Sequence, residues 1–191
     1  MCKYDDSLFL AILFMAFSTL MCIGELTQTS SIKQHSCSKL TLQHSCSLTT
    51  HHYLFHLPYH KGDCFFDGNT ILVERHSTFS ISAYLIFADY LRRHDQLFPY
   101  HPELWLTSSG FVPTYSWFVS RLQHTLGPDI GGHSIWSGGA TALALAGVPD
   151  NIIQLLGRWS SNTFRIYIRL HPVLLHALLH SDPQLQHHLG P

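Results

Sequence analysis

From Ser7 to Gly24 the chain carries no charged residue, and Leu8 to Phe17 is apolar without a break. A run of that length crosses a bilayer, serves as a secretory leader, or becomes a helix buried on nearly all sides. The flank Met1-Cys2-Lys3-Tyr4-Asp5-Asp6 holds two acids against one lysine, where a leader wants net positive charge. No Ala-x-Ala-like cleavage site follows. The residues therefore favour a helix that opens a domain core and stops at Gly24 as its C-cap.

The 191 residues suit one domain with at most a small appendage, and 46% hydrophobic with 13% aromatic residues supply a core. A disordered tail, a collagen-like repeat and a disulfide-stapled miniprotein are excluded on that ground. Charged residues amount to 12% and the net charge is −1 with histidine neutral, so the chain lacks the overall basic excess of a broad nucleic-acid surface. Sixteen histidines make that charge sensitive to pH between about 5 and 7. The five cysteines, Cys2, Cys22, Cys37, Cys46 and Cys64, contain no C-x-x-C pair, so no disulfide framework is indicated. His35/Cys37 and His44/Cys46 lie in a short duplication, Gln34 to Ser38 and Gln43 to Ser47, whose spacing matches no zinc pattern. Local slippage of sequence accounts for it, and no metal is expected.

Periodicity predicts a mostly helical chain with a few strands. Residues 27–52 are polar and irregular, with a strand expected near Lys39 to Leu42. Tyr53 to Leu57 and Asn69 to Glu74 read as the two strands of a hairpin, with Lys61 near its tip. Ser77 to Gln96 reads as a helix with Ile81, Tyr84, Leu85, Ala88 and Leu91 as its apolar stripe. A helix from Thr114 puts Trp117, Phe118, Arg121 and Leu122 inside, and Gly138 to Ala146 is a small-residue helix of the close-packing kind. Pro149 opens a helix that ends at Gly157, Ser160 or Ser161 caps another through Leu170, and Pro172 begins a last one to about His180. The fold class is α+β, mainly helical, with a small antiparallel sheet.

His133-Ser-Ile-Trp-Ser-Gly-Gly-Ala-Thr, Ala146 to Asp150, Leu156-Gly-Arg-Trp-Ser-Ser161 and Ile166-Tyr-Ile-Arg169 together carry a resemblance. They resemble the catalytic domain of tyrosine recombinases, above all the eukaryotic, mobile-element-derived type that reads H-S-F-R-x-G-G-A-T and L-G-R-W-x-S. His56 to Lys61 is similar to the family's lysine-bearing hairpin. Met21 to Thr27 is similar to its first box, L-R-x-G-E-L. The resemblance makes the helix before Gly24 a core helix. It implies a catalytic-type domain over residues 1–180, a tail over 181–191, and no preceding DNA-clamping domain.

Such enzymes cut DNA by attack of a tyrosine oxygen on a phosphodiester, so the site needs fixed positive charge and hydrogen-bond donors rather than a metal or other cofactor. The resemblance makes Tyr167, nine residues after Arg158, the nucleophile, and gives His133, Lys61 and Arg158 catalytic roles. It puts Trp159, beside Arg158, where the family holds a phosphate-contacting donor, while charge and spacing, four apart on one helix face, make Arg165 and Arg169 the expected DNA contacts. Between Asp150 and Asp182 the three arginines stand without an acid. Two departures weigh against activity: the family's arginines fall at Cys22 and Trp136, and neither a thiol nor an indole grips a phosphate as a guanidinium does.

The expectation is a DNA-binding recombinase or integrase relic without cleavage activity, nuclear or cytoplasmic, with no membrane span. The segment after Pro172 is a candidate for exchange between copies in a homo-oligomer. The competing functions are a non-catalytic DNA- or protein-interaction module and, more remotely, a secreted or membrane-anchored His/Cys-rich metal binder.

Overall fold

The computed structural model describes residues 3–58, 67–75, 81–161 and 164–169, with the side chains of Ile32 and residues 167–169 outside the description. Helix α1 spans Tyr4–Thr19, with Asp5 and Asp6 in its first turn, where carboxylates suit the positive end of the helix. It packs against both α3 (Ala83–Leu97) and α5 (Gly132–Leu145), and this double cover is why it is apolar nearly all round. Leu8, Ile12 and Met15 are fully enclosed. Among the described residues no helix is long and apolar enough to cross a membrane.

The helix does not run on to Gly24. It stops at Leu20, which takes the left-handed cap (φ 55°), and a second short helix, α2 (Ile23–Leu26), contains Gly24. A left-handed leucine costs about 1–2 kcal/mol. Burial of the Leu20 side chain, 1% exposed among Ala140, Leu143, Ile153 and Phe164, offsets it at about 1.5–3 kcal/mol.

Strands β1 (Ser47–Leu48), β2 (His52–Leu57) and β3 (Asn69–Glu74) form one antiparallel sheet in that order. Tyr53 pairs with Val73 and Phe55 with Ile71, so alternate residues of both strands face the core. The tip that holds Lys61 lies outside the described residues. Before the sheet, residues 27–46 contain three single 3-10 turns, Ile32–Gln34, Cys37–Lys39 and Gln43–Ser45. The strand expected near Lys39 is reduced to one bridge from Leu42 to Glu103. Ser and His side chains there bond nearby groups, as Ser45 Oγ does to the Leu42 carbonyl at 2.7 Å, and compete with a ladder.

Helix α3 buries Ala83, Tyr84, Phe87, Tyr90 and His94, whereas Ile81 and Leu85 of the expected stripe are more than half exposed. The aromatic face wins because its polar tips find partners inside. The Tyr90 hydroxyl donates to the Leu104 carbonyl at 2.8 Å and accepts from the Leu106 amide at 3.1 Å, and the Tyr84 hydroxyl donates to the Thr49 carbonyl at 2.5 Å. Helix α4 (Tyr115–Leu126) is capped by Thr114, whose hydroxyl accepts from the Trp117 amide. It encloses Phe118 and Leu122; Trp117 and Arg121 are half-buried. Helix α5 begins at Gly132, one and a half turns ahead of the expected Gly138, so His133 and Trp136 are helical residues. A Cβ at Gly139 would run into the Phe17 backbone carbonyl, so α5 lies close against α1 there. Helices α6 (Asp150–Leu156) and α7 (Phe164–Arg169) complete the described chain.

Candidate active site

Helix α5 presents His133 in its first turn, exposed, and Trp136 one turn later, only 8% exposed. The two rings meet edge to face at 4.4 Å. Trp136 also meets Trp159 at 4.9 Å, and Trp159 stacks on Phe164 of α7 at 5.0 Å and 21°. The place where the resemblance puts a second guanidinium is thus filled by an indole between two aromatic neighbours. Gly157 permits this arrangement, because a Cβ there would stand 2.5 Å from the Trp159 ring.

Arg158 follows Gly157 in the left-handed conformation, φ 56°. Its guanidinium donates from Nη2 to Glu25 Oε2 at 3.1 Å, with the two side chains 13% and 12% exposed. From Nη1 it reaches the Leu156 carbonyl at 3.2 Å and the Thr19 carbonyl at 3.5 Å. These are the last residues of α6 and α1, whose carbonyls have no partner within their own helices. One side chain therefore ties α1, α2 and α6 together. Glu25 accepts in addition from the Cys22 amide at 3.1 Å. The Cys22 side chain is exposed, so the position expected to hold the first guanidinium borders a carboxylate already paired with Arg158.

Glu25 is the member of the site that reading the sequence passed over. The signal was present, since it is the acid of the Gly24-Glu25-Leu26 segment, three residues after Cys22 on a short helix.

The structure brings Cys22 and Glu25 to Arg158, and His133 and Trp136 to Trp159. The α7 backbone that bears Tyr167 joins this group through Phe164. The side chains of Tyr167 and Arg169, the residue Lys61, and the helix expected after Pro172 lie outside the described residues. Arg165 sits 2.9 Å from Asp150, off the N–H direction, so the contact is an ion pair rather than a hydrogen bond. Two arginines of the expected basic stretch, Arg158 and Arg165, are thereby matched by acids. Among the described residues no three His, Cys, Asp or Glu side chains gather as a metal site.

Solved recombinases share this arrangement of elements. XerH site-specific recombinase, in a post-cleavage complex with a palindromic difH substrate, superposes with a TM-score of 0.58 at 16% identity, over 93% of this chain and 46% of that one. Its pre-cleavage complex with difH gives 0.57, also at 16% identity, over 93% and 48%. The Tn1549 transposon integrase in complex with transposon right-end DNA gives 0.50 at 13% identity, over 90% and 57%. The fold is a tyrosine-recombinase-like catalytic fold. The chain spans about half the length of these recombinases. No family model matches the sequence, and no curated protein matches it significantly.

Proposed function

We propose that residues 1–180 form a tyrosine-recombinase-type catalytic domain, with 181–191 as a tail, that binds DNA without completing strand cleavage. The observation that carries this reading is the packing of Trp136 between His133 and Trp159 in a fold shared with DNA-bound recombinases. An indole offers one N–H and no charge, where phosphoryl chemistry asks for a forked cation. Cys22 offers none either, and the Arg158 guanidinium is committed to Glu25. Loss of one such donor costs on the order of 10²–10³ in rate, and two losses in one pocket compound, though not additively.

In this reading Tyr167 is the residual nucleophile, His133 and Lys61 are its proton-handling neighbours, and Trp159, Arg165 and Arg169 face DNA. The reaction of active relatives would need no cofactor. The gene derives from a eukaryotic mobile element, and the product acts in the nucleus or cytoplasm. A second role, as an interaction module, is supported by exposed apolar side chains on α6 and α7, with Leu155 72% and Ile166 54% exposed. The helix after Pro172 is the proposed means of assembly into homo-oligomers.

The test is covalent trapping on nicked duplexes taken from the flanks of the gene. Denaturing gels would compare the natural chain, Tyr167→Phe and the Cys22→Arg/Trp136→Arg double variant, each checked for folding by thermal melting. The expected result is an adduct from the double variant alone. An adduct from the natural chain that disappears in Tyr167→Phe overturns the loss of activity.

A further inference from the structure

His94, in the last turn of α3, is fully buried, and both nitrogens of its ring have a partner. Nδ1 lies 3.2 Å from Asp95 Oδ1, and Nε2 lies 3.0 Å from the Glu103 carbonyl oxygen. A carboxylate and a carbonyl only accept. A neutral imidazole carries one ring proton, so it would turn a lone pair toward one of these two oxygens. The imidazolium donates to both. The end of a helix, where free carbonyls leave partial negative charge, favours the same cation.

Both partners lead on to the loops beside α3. Asp95 Oδ1 also accepts from Gln43 Nε2 at 2.6 Å, and Glu103 is bridged to Leu42. The Gln43 amide donates to the Pro102 carbonyl at 2.7 Å, and the Leu104 amide donates to the Thr41 carbonyl at 2.9 Å. Residues 41–43 and 102–104 are thus paired with each other, and the His94 ring fastens one end of that pairing to α3. Tyr90 fastens the other, its hydroxyl donating to the Leu104 carbonyl and accepting from the Leu106 amide. Thr41 and Glu103 line a cleft of about 540 Å³ together with Glu25 of α2, so the pairing helps to wall the space next to the partner of Arg158.

We propose that His94 is a proton-operated latch that holds the paired segments 41–43 and 102–104 against α3. With two ring protons it binds Asp95 and the Glu103 carbonyl together. When the Nδ1 proton passes to water, the ring keeps its other proton for the main-chain carbonyl, which cannot turn away. Asp95, whose side chain is 49% exposed, then turns to solvent and gives up Gln43. Among the described residues the other titratable groups near this pair are Tyr90 of α3, Tyr4 of α1, and Cys46, His101 and Glu103 on the loops. Burial pushes Tyr4 up to about 12, Cys46 up to about 11 and Tyr90 well above its ordinary value, so these three keep their protons throughout the range in which an imidazole titrates. His101, with Nδ1 3.6 Å from Glu103 Oε2, is the second imidazole of the loop and needs its own control. The latch stands apart from the recombinase reading, so its test needs no DNA.

Amide hydrogen exchange of the full chain at about pH 5 and about pH 8, on either side of the ordinary imidazole value, provides that test. Each rate is taken relative to its intrinsic value at the same pH. Protection of the Gln43 and Leu104 amides should fall at least about tenfold between the two, the scale of a lost hydrogen bond to a charged group. Protection of the Leu106 amide, held by Tyr90, should stay level. Asp95→Asn should remove the step, because an amide can donate to the bare ring nitrogen as well as accept from the protonated one. His101→Gln should keep it. Nitrogen NMR at about pH 5 should show two N–H groups on the His94 ring. A single N–H there, equal protection of Gln43 and Leu104 at the two pH values, a step that survives Asp95→Asn, or one that disappears in His101→Gln would overturn the proposal.

Discussion

Arg158→Ala should be among the most destabilising single changes at a polar residue of this chain, and the structure gives its size. The Arg158 and Glu25 side chains are 13% and 12% exposed, so their ion pair is largely desolvated. Removing one partner of a buried pair costs about 3–5 kcal/mol, because the other charge is left without compensation. Glu25 would keep its bond from the Cys22 amide, and both groups retain some water, which places the loss near the lower end, about 3 kcal/mol. Arg158 also holds a left-handed backbone at φ 56°, which costs about 1–2 kcal/mol in any residue with a Cβ. Arg158→Gly relieves that strain and should lie about 1 kcal/mol above Arg158→Ala, after the entropic penalty of glycine. Urea unfolding measures both: with a slope of about 2 kcal/mol/M, Arg158→Ala moves the midpoint down by about 1.5 M. In a double-mutant cycle with Glu25→Gln, a coupling of about 1.5–3 kcal/mol is expected. A loss below about 1 kcal/mol, the range of exposed pairs, together with no difference between the Ala and Gly variants, would refute the reasoning. Glu25→Gln alone carries the functional consequence. It frees a guanidinium, so DNA binding should tighten and its salt dependence steepen by about 0.9 in the logarithmic slope for one added phosphate contact.

Four further outcomes are expected. Phe87→Ala empties a fully buried ring site and should cost about 3–5 kcal/mol in urea unfolding. Leu85→Ala, at a side chain 54% exposed, should stay within about 0.5 kcal/mol of the natural chain. Gly139→Ala drives a methyl into the Phe17 carbonyl and should cost at least about 2 kcal/mol, a fall of roughly 4–8 °C by scanning calorimetry. The Asp6 carboxyl is held below its ordinary value of 3.8, first by the Arg121 hydrogen bond at 3.0 Å and then by the Lys3 amide. A depressed pKa contributes stability that is whole above the unfolded value and lost as pH falls through the folded one. Asp6→Asn should therefore melt below the natural chain near pH 6, and the gap should close by about pH 2.

The helices and the hairpin were legible because their periodicity and punctuation agree with their final packing. Asn69–Glu74 was predicted to the residue, since a run rich in β-branched residues is bounded by Gly68-Asn69 before it and by the charged Glu74-Arg75 after it. Two misplacements share a cause. The expected stripe put Ile81 and Leu85 inside with Tyr84, yet Phe87 and Tyr90 join Tyr84 on the buried face, where the two tyrosine hydroxyls reach carbonyls and an amide on other segments. Gly24 drew the end of α1 toward itself by its freedom of conformation, yet Leu20 ends the helix by burying its side chain. In both cases a tertiary contact from far along the chain outweighed a local preference, and no local window contains that contact.

A motif marked the positions of the candidate site but not their pairings. The structure sets Trp136 between His133 and Trp159, and joins Cys22 to Arg158 through Glu25. A motif has no means of saying that Arg158 faces an acid on α2 rather than open solvent, because Glu25 lies more than a hundred residues away. That pairing changes what the two substitutions mean. With an arginine at position 22, Glu25 would have two cations to choose between, and Arg158 would be free to face a phosphate. With Cys22 there, Arg158 pairs with Glu25 and is a strut between α1, α2 and α6. Under the proposed function an arginine at position 22 would compete with Arg158 for Glu25, so Cys22→Arg should recover more than one phosphate contact. Trp136 bears on the same segment, since its tilted contact with Trp159 at 4.9 Å holds the residue after Arg158 in place.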